Sequence, residues 1–269
     1  EKADELQKQF YYVFHFLKRS DPSEGPDVYN NVAGLKTGRF CRHLAERNNY
    51  MRQAQEIIRF REKHPELACR VLGIDAASQE LGCRPEVFAP VYRLLGDHQG
   101  PCGGYTSPQQ KLPALGKTYH VAEDYPDIID GLRAIDEAIH FLDYDCGDRL
   151  GHALALGEDI VSWYDRKHRA ISLSIQDYLD NLAWLYHALS RCGTSDMNSL
   201  KERIVEDFDH WFRLVYLSNI NEKDLRTRME YACGWYRMTG EDHRRYQVHT
   251  CSFDITAYYH AWTLRGDDP

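Results

Sequence analysis

The sequence predicts an α/β fold, and its length fits a single (β/α)8 barrel of the TIM type. Between residues 71 and 157, short apolar runs alternate with longer amphipathic stretches in the order strand, helix or loop, strand, helix, strand. The 269 residues, 43% of them hydrophobic, are enough to bury the core of one large domain. Several strand candidates end in residues that bind metals or transfer protons, and the active sites of such barrels form at those strand ends.

The first part of the chain contains two strand candidates and one long helix. Residues 10–17 form an apolar, aromatic run that is typical of a buried strand. Residues 37–67 are charged and helix-periodic, with more basic than acidic side chains, which predicts a partly solvated helix. Residues 71–75 form the second strand candidate, because this short apolar run is followed by a polar turn.

Two further strand candidates, residues 117–121 and 148–152, flank an amphipathic stretch. Residues 96–116, rich in Gly, Pro, Ser and Gln, predict a long surface loop before them. Between the strands, helical spacing predicts a helix packed on the sheet, with Asp124 and Asp127 as candidate caps. The apolar positions of this helix are Ile128, Ile129, Leu132, Ile135, Ala138, Ile139 and Leu142.

The chain after residue 157 is mostly helical and rich in aromatic residues, and the whole sequence is predicted to form three regions. Residues 1–157 contain barrel strands and helices, residues 158–250 form a large helical, Trp-bearing insertion, and residues 251–269 contain the last barrel strand. The apolar run at residues 257–264 is the candidate for that strand. The predicted barrel is incomplete at its N-terminus, because the sequence opens without Met inside a helical pattern. We therefore expect a piece of a longer protein.

The net charge and the cysteine spacing exclude several classes of protein. The 41 acidic residues exceed the 33 basic ones, which argues against a general nucleic-acid or membrane-surface binder. The sequence contains no long apolar run and no leader pattern. Eight scattered cysteines without a CxxC pair match neither a zinc ribbon nor a redox motif and predict free thiols. A cytoplasmic protein with no membrane partner is expected.

The candidate chemistry lies in residues that end three strand candidates: His120 with Glu123, His152, and Asp267 with Asp268. In a barrel these strand ends converge, so residues distant in sequence meet at one face. Each residue alone has an ordinary structural explanation, such as a core histidine, a helix cap or a solvated turn. The hypothesis of a site therefore depends on the whole set and its order.

Four motifs resemble those of the adenosine deaminase family, in the family's order. Residues 117–157 contain His-Val-Ala-Glu, Gly-Leu-Arg-Ala-Ile and Arg-Leu-Gly-His, where the family has His-Ala-Gly-Glu, a similar helix and Arg-Ile-Gly-His. Residues 73–80, Gly-Ile-Asp-Ala-Ala-Ser-Gln-Glu, resemble the family's Gly-x-Asp-Leu-Ala-Gly-x-Glu. Residues 266–269, Gly-Asp-Asp-Pro, resemble its Ser-Asp-Asp-Pro. The resemblance covers residues 71–157 and 257–269.

The resemblance implies roles for the matching residues. His120 and Asp267 would be Zn²⁺ ligands, and His152 would deprotonate and position the metal-bound water. Glu123 would donate a proton to N1 of the purine, and Asp268 would bind N7. The implied reaction is the deamination of an adenine nucleoside or nucleotide to its inosine counterpart and ammonia.

The sequence departs from the family in two places that matter. Ser78 stands where the family has a Gly beside the purine, so its side chain would reshape the substrate pocket. The family's His-x-His zinc pair has no counterpart in this sequence, and we expect it upstream of Glu1. His15, between Phe14 and Phe16, is interpreted as structural.

The helical insertion and the strand at residues 14–19 further resemble the divergent adenosine deaminase subunit of bacterial RADAR-type antiviral systems. This would imply a homo-oligomer, a partner ATPase and a role in phage defence. Adenosine, ATP-type nucleotides and RNA stay open as substrates, since the basic helix at residues 37–70 could contact phosphates. Two alternatives also stay open: another metal-dependent amidohydrolase, and an inactive assembly or scaffold subunit.

Overall fold

The computed structural model describes residues 10–20, 43–99, 112–193, 195–217 and 254–267. They form a mixed α/β structure that contains a four-stranded parallel sheet in the order β1-β2-β3-β4. The predicted α/β class is confirmed, and each strand overlaps a predicted one. The strands are β1 (Tyr12–Lys18), β2 (Val71–Ser78), β3 (Gly116–Val121) and β4 (Arg149–His152).

Helices connect and follow these strands. They are α1 (Leu44–Lys63), α2 (Pro65–Ala68), α3 (Ala89–Asp97), α4 (Ile128–Phe141), α5 (Ile160–Arg166), α6 (Ile175–Cys192), α7 (Asn198–Phe212) and α8 (Ile255–Thr263). The predicted helix after β3 is confirmed as α4. Asp127 occupies its N-cap position without a side-chain capping bond, and its carboxylate accepts a hydrogen bond from the Tyr164 hydroxyl at 2.6 Å.

The two faces of the sheet carry different side chains, because successive residues of a strand point to opposite faces. On one face Phe14 and Phe16 of β1 meet Phe60 and Tyr50 of α1, with ring centroids 6.3 and 6.0 Å apart. The alternate positions face the other way, and the strand register sets His15 of β1 directly beside Asp75 of β2. The polar side chains thus share the face opposite the aromatic helix contacts.

A buried network of charges fixes α4 beside the sheet. Arg133 and Glu137 are completely buried one helical turn apart and form an ion pair. Asp130 accepts from Arg133 and from Arg84, at 2.7 Å in both cases. Arg84 immediately precedes the 3₁₀ turn Pro85–Val87, so the network joins that turn to α4.

The chain divides into two compact units, and the predicted division at residues 157 and 250 stays a prediction. The described residues of the first unit are 10–20, 43–99, 112–171 and 263–267, and those of the second lie between 172 and 262. Helix α5 belongs to the first unit, where Trp163 stacks on Tyr125 with centroids 6.0 Å apart. The second unit has its own apolar core, formed by Leu179, Leu182, Ala183, Ile204, Phe208, Phe212 and Ile255.

The predicted last barrel strand at residues 257–264 is wrong, because this segment is the helix α8. The Asp254 carboxylate caps its first turn by accepting from the Ala257 amide at 2.8 Å. Ile255, Tyr258, Tyr259 and Trp262 follow at the i, i+3, i+4, i+7 spacing of one helix face. Aromatic and β-branched content favoured a strand, but the cap and this spacing determine the structure.

Within the described ranges, no helix is both long enough and apolar enough to cross a membrane.

Candidate active site

Three of the predicted site residues come together where β3 and β4 end. The Glu123 carboxylate lies 3.3 Å from Nε2 of His152. The His152 ring lies beside that of His120, with centroids 5.2 Å apart. We call His120, Glu123 and His152 the strand-end cluster. A carboxylate in contact with an imidazole can hold and transfer a proton, and the second imidazole is a potential metal ligand.

Asp75 links the strand-end cluster to β1. Its carboxylate is almost fully buried, and its two oxygens accept from Nδ1 of His15 at 2.9 Å and from Nδ1 of His120 at 3.0 Å. Because an ionised carboxylate only accepts hydrogen bonds, both histidines donate from Nδ1. A neutral His120 then has its lone pair on Nε2, which is the arrangement of a metal-binding histidine oriented by a carboxylate.

Asp75 had no predicted role, and His15 was interpreted as structural. Alternate residues of a strand share a face, and the strand pairing places His15, Asp75 and His120 on the same side of the sheet. Their proximity could be predicted only with the strand register, which the sequence does not specify.

Gly151, the residue before His152, leaves the space that the His120 ring occupies. A Cβ atom at this position would lie 3.1 Å from both Cα and Cγ of His120. A side chain at this position would require His120 to shift by a few tenths of an ångström, and one of the two contacts is with its backbone. Gly151 therefore favours the close approach of the two imidazoles.

Ser78 ends β2 with a φ of 90°, a backbone conformation that favours glycine. Its side chain is exposed. The predicted role of Ser78 in substrate binding stays a prediction.

Lys18, at the end of β1, is buried on the other face of the sheet. Its ammonium donates to the carbonyl oxygen of His120 and lies 4.0 Å from the centre of the Tyr119 ring. Burial lowers the pKa of Lys18 to about 8, and the charge of Glu80 opposes that shift. The ammonium is therefore still protonated at neutral pH.

Asp267 lies apart from the strand-end cluster. It belongs to the 3₁₀ turn Arg265–Asp267 after α8, and its carboxylate pairs with Arg93 of α3. The preceding Gly266 packs on Phe141, the last residue of α4. The ligand role predicted for Asp267 gains no support from this position. Asp268, the predicted N7-binding residue, lies outside the described residues.

The residues that the structure describes do not complete a metal site. Among them, no group of three or more His, Cys, Asp or Glu side chains has a geometry that could hold a metal ion. His120 fits as one zinc ligand, because Asp75 orients it from Nδ1, and His15 is bonded to the same carboxylate in the same way.

Neither models of known protein families nor the sequences of curated proteins match this chain.

Proposed function

We propose that this protein is a hydrolytic deaminase that converts an adenine nucleoside or nucleotide to its inosine counterpart and ammonia. The observation that supports this proposal is the contact between Glu123 and His152 beside His120, at the ends of adjacent parallel strands. Deamination of adenine needs an acid aimed at a ring nitrogen and a base for the attacking water. The two members of this contact can fill those two roles.

In the proposed reaction, the protonated carboxyl of Glu123 donates to N1 of the purine and makes C6 electrophilic. Water attacks C6 while His152 accepts its proton, which gives a tetrahedral centre that carries both the hydroxyl and the amino group. Transfer of the proton from His152 to the amino group allows the C6–N bond to break. Ammonia leaves, the hydroxyl proton returns to Glu123, and the product retains the proton on N1.

Zinc, when bound, would lower the pKa of the attacking water from about 15.7 towards about 7. His120 would hold it through Nε2, and the remaining ligands are not among the groups that the described residues bring together. Asp267 is left out of the proposed centre because its carboxylate is paired with Arg93.

We also propose that the four strands are consecutive strands of a (β/α)8 barrel. The order of the sheet follows the order of the sequence, as in a barrel, whereas doubly wound sheets reverse direction at a switch point. Right-handed crossovers in such an order place the connecting helices on one face. The opposite face carries His15, Asp75 and His120, as expected for the inside of a barrel.

The direct test is to incubate the purified protein, with zinc present, with adenosine, deoxyadenosine, ATP and short RNA in parallel. Ammonia and the hypoxanthine-containing product are measured in each reaction. We expect at least one substrate to yield both in equal amounts. A folded, zinc-loaded protein that converts none of the four would contradict the proposal.

We expect Asp75→Asn to weaken zinc binding by about 10-fold to 100-fold, as is usual when a carboxylate behind a ligating histidine is lost. The amide keeps one oxygen for one Nδ1–H and presents an NH₂ group to the other histidine. Competition with a chelator measures the affinity. Asp97→Asn, at an exposed position at the end of α3, is the matched control. Equal affinities in the two variants would exclude this role for Asp75.

A further inference from the structure

The turn that follows β3 is held by the side chain of Glu80. One carboxylate oxygen of Glu80 accepts from the backbone amide of Ala122, and the other accepts from the amides of Glu123 and Asp124 at 2.9 and 3.1 Å. Ala122 has a φ of 53°, a left-handed conformation that a residue with a side chain adopts only at a cost. Three charge-assisted hydrogen bonds to one carboxylate stabilise that conformation.

The same turn is bonded from its other side to the end of β4. The amides of Ala153 and Leu154 donate to the carbonyls of Val121 and Ala122 at 2.9 and 3.0 Å. His152 and Ala153 also have left-handed φ values of 61° and 50°. Left-handed residues in succession persist only where their surroundings determine them, and such strain is typical of functional sites.

Lys18 holds the residue at which this turn begins. Its ammonium donates to the His120 carbonyl, and the Glu80 charge is the strongest of the anionic charges around it. Lys18 is 1% exposed, so its position is fixed by packing. Lys18 and Glu80 therefore act on the two ends of one backbone segment, residues 120–124.

The attraction between Glu123 and His152 is too weak to hold these two side chains in place. The two side chains are 50% and 38% exposed, and exposed ion pairs contribute little because water competes for both partners. Their approach to 3.3 Å therefore requires a backbone that brings residues 123 and 152 close together.

We propose that Glu80, assisted by Lys18, is a positioning residue that fixes the two strand-end turns and thereby aims Glu123 and His152 at the substrate. This role rests on the proposed function for its effect on turnover. The conformation of the turn does not depend on the proposed function. Hydrogen exchange and kinetics therefore test the two parts of the proposal independently.

The test compares Glu80→Gln with the parent protein by hydrogen exchange and by kinetics. Gln has the same shape but keeps one acceptor oxygen and turns an NH₂ group towards backbone amides. We expect fast exchange at the amides of Ala122, Glu123 and Asp124, while amides within the β2–β3 ladder stay protected. We expect kcat to fall about 10-fold to 100-fold with little change in KM and zinc content, since misplaced reacting groups slow the chemical step. Glu66→Gln, an exposed position on α2, is the matched control.

Unchanged exchange at the three amides would overturn the proposal, and so would unchanged kcat in an active protein. If the parent protein deaminates no adenine substrate, the proposed function fails, and the exchange measurement still decides whether Glu80 fixes the turn. If Glu80→Gln does not fold, Glu80→Asp replaces it, because a carboxylate that is one methylene shorter cannot reach all three amides. Full protection of the three amides in that variant would also overturn the proposal.

Discussion

Replacing Glu123 by Gln is expected to lower kcat by about 10²-fold to 10⁴-fold, the usual contribution of a positioned general acid. Gln fills the same space and can still contact His152, but it cannot donate a carboxyl proton to N1 of the purine. Because Glu123 is not a proposed zinc ligand, zinc content is expected to match that of the parent protein. Steady-state kinetics and metal analysis of the same preparation measure both quantities.

Asp124→Asn is the matched control for this experiment. Asp124 is the next residue on the same turn, is also exposed, and has its amide bonded to the same Glu80 carboxylate. Its replacement is expected to leave kcat within a factor of a few of the parent value. Undiminished kcat in Glu123→Gln would exclude the proposed role of this carboxyl.

Replacing Arg133 by Met is expected to lower the free energy of unfolding by about 3–5 kcal/mol, the typical cost of removing one partner of a buried ion pair. The variant would remove the ion pair between the buried Glu137 and Arg133 and leave the longer contact of Glu137 with Arg84, at 3.8 Å. Asp130 would keep its ion pair with the same Arg84. The midpoint of urea unfolding, with an unchanged slope, measures this loss.

Two further variants distinguish the loss of the buried ion pair from the general effect of removing a positive charge on stability. Arg166→Met removes an exposed arginine that pairs with Glu158 and is expected to change stability by less than about 0.5 kcal/mol. Arg133→Met combined with Glu137→Leu removes both partners of the completely buried ion pair and is expected to be less destabilised than Arg133→Met alone. If the double variant is at least as unstable as Arg133→Met, the loss of stability does not come from leaving Glu137 without this ion pair.

The sequence predicted the sheet and α4 well because their patterns are local. Short apolar runs bounded by turns located β1 and β2, the candidates at residues 117–121 and 148–152 located β3 and β4, and the apolar spacing from Ile128 to Leu142 located α4. Helix α8 was missed because its tyrosines and tryptophan also suit a strand. The residue that decided its structure, Asp254, lies just before the apolar run and acts as a cap.

The site was predictable in part for the same reason. His120, Glu123 and His152 belong to contiguous motifs on neighbouring strands, and the structure brings them together. The contacts of Asp75 and Glu80 depend instead on strand register and turn conformation, which are set by tertiary structure. Asp267 was predicted to lie beside His120, Glu123 and His152 because a barrel strand was expected before it. The segment before it is the helix α8, so that expectation no longer applies.

The most direct test of the central claim is to run the deamination in water labelled with heavy oxygen. Hydrolytic attack at C6 predicts a product that carries one heavy oxygen at that carbon and one ammonia released for each product formed. Mass spectrometry of the product and an ammonia assay on the same sample measure both. A product without the label, or no product from any adenine substrate with folded and zinc-loaded protein, would contradict the assignment of Glu123 and His152 to this reaction.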